Sequence, residues 1–69
     1  MKIKAKDFDR IRKRFEKSQK SIIEGDYMLE AGGIKAVEHA LHYNYEAKAI
    51  LMDNEEHLRD VLNKMRNKQ

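Results

Sequence analysis

Gly32 and Gly33 form the only glycine pair in a 69-residue chain that contains no proline. Glycine reaches left-handed backbone conformations at little cost, and without proline the chain has no other hard break. On both sides of the pair the apolar residues recur every three or four positions, the period of a helix buried along one side. The chain is therefore expected to be all-α and to reverse direction at Ala31-Gly32-Gly33-Ile34.

Ahead of the turn, Asp7 is placed to cap a helix, because its carboxylate can accept from free backbone N–H groups. Phe8, Ile11, Phe15, Ser18, Ile22 and Leu29, with Gly25 at the remaining step, then make one stripe. Arg10, Lys13, Arg14, Lys17 and Lys20 cluster on the other side. Asp9 with Lys13 and Glu16 with Lys20 add i,i+4 pairs of about 0.3 kcal/mol each. Gly25-Asp26 reads as a stop near Glu24 followed by a new cap, the alternative being a helix that runs through to Glu30 at the cost of about 1 kcal/mol for one interior glycine.

Past the turn, Val37, Ala40, Leu41, Asn44, Ala47 and Leu51 share a face. Asp53-x-x-Glu56 fits a capping box, and Leu58, Val61, Leu62 and Met65 would be the apolar side of a third helix. The pattern predicts a small antiparallel bundle of three helices, at about 7–24, 34–52 and 54–66, within one domain of residues 1–69 whose residues 1–6 are a basic arm. A competing reading joins residues 34–66 into one helix, since the apolar phase never breaks. The resulting two-helix hairpin would set Phe15 near Leu51 and Phe8 near Leu58, and would dimerise into a four-helix bundle.

Chains this short usually need disulfides, a metal or a partner chain to bury enough surface. Cysteine is absent, which removes disulfides and thiolate zinc sites together, so a homo-oligomer is expected. Charged residues make up 39% of the chain and no apolar run approaches the ~20 residues of a membrane span. No signal-peptide pattern opens the sequence, so a cytoplasmic protein that stays off membranes is expected. Charge is segregated: residues 1–23 carry +6, residues 24–56 carry −6 and residues 57–69 carry +3. Such a chain can neutralise itself internally.

Glu38, His39, His42 and Glu46 are the one cluster of potential ligands, but they lack the Glu-x-x-His spacing of bundle metal sites. Ser18 and Ser21 have no His/Asp pattern beside them, and Gly32-Gly33 is no phosphate loop. Catalysis, a metal and a cofactor are therefore not expected. A small regulatory protein, an adaptor or inhibitor, is expected to act by protein–protein interaction, with Tyr43, Asn44 and Tyr45 in the acidic middle segment as candidate interface residues. The alternative is a regulator that grips nucleic-acid backbone through Arg10, Lys13, Arg14, Lys17 and Lys20.

Overall fold

A computed structural model describes residues 3–67, and within them the chain is a hairpin of two helices. Helix α1 spans Ala5–Leu29 and helix α2 spans Gly33–Asn67. The hairpin is a rod of 54 × 16 × 12 Å. The turn is tight. Glu30, Ala31 and Gly32 donate to the carbonyls of Tyr27, Met28 and Leu29, drawing the end of α1 into a narrower spiral. Gly32 (φ 68°) and Gly33 (φ 85°) then take the left-handed conformation that side chains disfavour. No other described residue has a positive φ.

The reversal therefore lies where the glycine pair predicts, but two helices replace the expected three. α1 does not stop at Gly25. That glycine faces α2, and a Cβ there would stand 3.3 Å from the Tyr43 Cβ and 3.6 Å from the Ala40 carbonyl oxygen. It serves close packing, for which a missing side chain is the requirement. α2 does not break at Asp53-Asn54 either. Asn54 is 1% exposed and its Nδ2 donates to the Ile11 carbonyl at 3.4 Å, while the Asp53 carboxylate accepts from Arg14. Both residues with capping chemistry are occupied across the hairpin. Asp7 is not the cap of α1, because the helix begins earlier, beyond Lys4. It sits in the first turn instead, 3.2 Å from His57 Nε2. Of the expected basic arm, Ala5 and Lys6 are already helical, and Met1 and Lys2 lie outside the described residues.

The seam between the helices is built from small and polar groups. Ile11, Ser18, Ser21 and Gly25 of α1 are buried against Ala36, Ala47, Asn54 and Val61 of α2. Ala40, Tyr43, Ile50 and His57 are half-buried along the same line. On α2 these positions alternate steps of four and three, and on α1 they do so once half-buried Arg14 is included, the seven-residue repeat of paired helices. Small residues let the two backbones approach, and Ser18 keeps its hydroxyl satisfied by donating to the Phe15 carbonyl.

Candidate functional site: the two flanks of the hairpin

Once the seam takes the small residues, the large apolar ones must go elsewhere. Phe8, Phe15, Ile22 and Leu29 recur every seventh position, one step round the helix from the seam. Val37, Leu51 and Leu58 occupy the equivalent places on α2, with Leu41 and Leu62 one step further out. In an antiparallel pair these positions of both helices fall on the same side of the seam. All nine side chains are between 37% and 58% exposed. Phe15, Leu51 and Leu58 line one shallow groove together with Met52, Asn54 and Glu55. Phe15 thus meets Leu51, as the hairpin reading requires. The single stripe expected on α1 is in fact two, with Ile11, Ser18 and Gly25 turned into the seam and the four larger residues left outside.

The opposite flank is charged. Arg10, Lys13, Arg14 and Lys17 line a groove with Lys6, Asp9 and Ile50. Lys20, the fifth cation of the expected stripe, does not line it. Across the seam stand Asp53, Glu56 and Asp60, which share a second depression with Arg10 and His57. Arg14 is ion-paired with Asp53, and His57 lies against Asp7. The +6 and −6 segments are therefore laid side by side, so part of the basic stripe is answered from within the chain.

The three candidate interface residues point in different directions. Tyr43 is half-buried in the seam, where the Glu24 carboxylate pushes its phenol pKa up, helped by burial, a hydrogen bond to Glu24 and the charge of Glu46. Asn44 is exposed on the apolar flank, level with Ile22, and Tyr45 is 59% exposed. They do not make one patch. The residues missed in the sequence are the nine apolar ones, whose signal was the strict seven-residue recurrence of Phe8, Phe15, Ile22 and Leu29.

Among the described residues no three His, Asp or Glu side chains converge in a way that could hold a metal, and no helix is long and apolar enough to cross a membrane. No family model matches the chain, and no curated protein or solved structure matches it.

Proposed function

We propose that this protein is a non-enzymatic helical binding module, a small regulator or adaptor, and that it acts by protein–protein interaction through the apolar flank of the hairpin. The observation that supports this reading is the nine large apolar side chains exposed on one side. At full residue areas of about 175–240 Å² these nine residues present roughly 850 Å² to solvent, against about 300–600 Å² for the largest apolar patch of a typical monomer. A surface of that size is close to the roughly 800 Å² that each partner gives to a stable interface. The interface then centres on Phe15, Leu51 and Leu58, with Asn44 inside it and Tyr43 behind it. The expected homo-oligomer is one way of covering such a surface.

A photo-crosslinking side chain placed at Phe15, and at outward-facing Lys13 as a control, tests the reading in cells. Adducts with protein, the chain itself included, are expected from position 15 and not from position 13. No adduct from position 15, at a level of expression where the protein stays folded, would overturn it.

A second reading has one observation in its favour. The groove of Lys6, Arg10, Lys13, Arg14 and Lys17 would suit a phosphate backbone. With Arg14 held by Asp53, about four phosphates are within its capacity, so log K for duplex DNA should fall against log salt with a slope of about −3.6. Absence of binding at low salt retires this second reading and leaves the first untouched.

A further inference from the structure

We propose that the apolar flank is covered by the same flank of a second copy, related by a twofold axis parallel to the helices, so that both turns lie at one end of a four-helix bundle. The inference rests on the reading of that flank as the interaction surface and names its occupant.

Size comes first. The hairpin alone buries four apolar side chains, Ile11, Ala36, Ala47 and Val61, among its described residues. That is a thin core for a domain of this length, and the flank is as large as one side of a stable dimer.

Register comes next. The contacts of Asn54 with Ile11 and of Gly25 with Tyr43 fix which residues lie level. Phe8 is level with Leu58, Phe15 with Leu51, Ile22 with Asn44, and Leu29 with Val37. An axis along the rod keeps every residue at its own height, so α1 of one copy lies over α2 of the other and all four levels meet their own image. The alternative axis, perpendicular to the rod, reverses the order and puts the turns at opposite ends.

Two residues choose between these. Asn44 is the one polar residue among the eight that form the levels. With the parallel axis both copies of Asn44 share a level and face each other across the bundle centre, where their amides can exchange hydrogen bonds. With the perpendicular axis each Asn44 is buried at the level of Phe15 and Leu51 without a polar partner, which costs the full desolvation of its amide. Charge agrees. On the rim, the parallel axis brings Arg12 level with Glu55 of the second copy and Lys48 level with Gln19. The perpendicular axis brings the two Lys48 side chains together, a like-charge contact. In the hairpin itself Arg12 and Glu55 are exposed and their ion pairs are with neighbours on their own helix, Glu16 and Arg59, Arg12 also lying over the Phe8 ring at 5.7 Å.

The absence of cysteine makes the test clean. Sedimentation equilibrium of the full chain should give twice the 8.2 kDa chain mass at micromolar concentration. Leu51→Glu should weaken association about a hundredfold while the helical circular dichroism remains, because the substitution sets a charge in the covered face. A spin label on Ala31→Cys then reads the axis. Turns at one end give a distance of about 20 Å or less, the width of a bundle with helices 8–10 Å apart. Turns at opposite ends give about 40 Å or more, from 1.5 Å per residue over the paired length. A single short distance is expected, and Asn44→Leu should add a second, long population. A long distance with Asn44 in place overturns the axis. A chain that stays monomeric at high micromolar concentration overturns the second copy. If position 15 still crosslinks to other proteins in that case, the interaction surface stands and only its occupant is wrong.

Discussion

Asn54 is the most enclosed side chain of the hairpin, and its replacement by leucine should raise stability. Its Oδ1 is shielded from solvent and has no partner among the described residues, and its Nδ2 makes one long hydrogen bond of 3.4 Å to the Ile11 carbonyl. A stranded buried acceptor costs about 1–3 kcal/mol, and a long neutral hydrogen bond returns at most about 1 kcal/mol. Leucine keeps the branching at Cγ but is the larger side chain, so the apolar burial it adds is offset by about 1–3 kcal/mol of overpacking. The balance is a gain of about 1–2 kcal/mol, or roughly 5–10 °C in Tm for a chain of this length. Urea unfolding followed by helical circular dichroism, at one fixed chain concentration, measures it. Asn54→Asp is the informative companion, since the same shape with a buried carboxylate should lose about 3 kcal/mol or more. If Asn54→Leu is less stable than the parent by over about 1 kcal/mol, the amide is a net contributor and the reasoning fails.

Three further outcomes follow from the seam and the turn. Ala47→Leu forces a large side chain between closely spaced backbones and should cost about 1–3 kcal/mol in the same urea experiment. Gly32→Ala meets open space, so its cost is that of the left-handed backbone alone, about 1–2 kcal/mol. For Tyr43 the native state favours the neutral phenol, its pKa lying above the ordinary 10.0. The associated stability is present in full below pH 10 and is lost as pH rises through the higher folded value. In a chain with Tyr27→Phe and Tyr45→Phe, Glu24→Gln should bring the tyrosinate absorbance transition back toward 10, and an unmoved transition would rule out Glu24 as the principal cause.

The helices and their reversal were legible because their signals are local. An amphipathic period and a glycine pair say the same thing in almost any surroundings. Gly25 and the Asp53-Asn54 pair were misread for the opposite reason. Each has a local use, as a stop or a cap, and a tertiary use, and only the neighbouring helix shows which prevails. Tyr43 opposite Gly25 and Ile11 opposite Asn54 decide it. The seam was hidden by size, because large apolar residues are the usual mark of a core. Here Ser18, Ser21 and Ala47 are inside while Phe8 and Phe15 are outside, an inversion that follows from close approach of two backbones. Internal neutralisation is legible in the segregated charge, but nothing in the spacing reveals that Asp53 and Asp60 are the acids that come to stand across from the basic stripe.

The turn has a consequence for topology. Two glycines hold the only left-handed backbone among the described residues, and the segments around them are strong helix formers throughout. Replacing both with alanine removes the one place where reversal is inexpensive, and the default becomes a single rod of about 60 residues. Such a rod cannot close its seam on itself, yet Ser18, Ala47 and Asn54 would still find the same neighbours on another molecule. Arm exchange between copies then replaces the hairpin with contacts of the same kind. The seam and the turn therefore specify different things. The first determines which surfaces meet, and the second determines whether they belong to one chain or two.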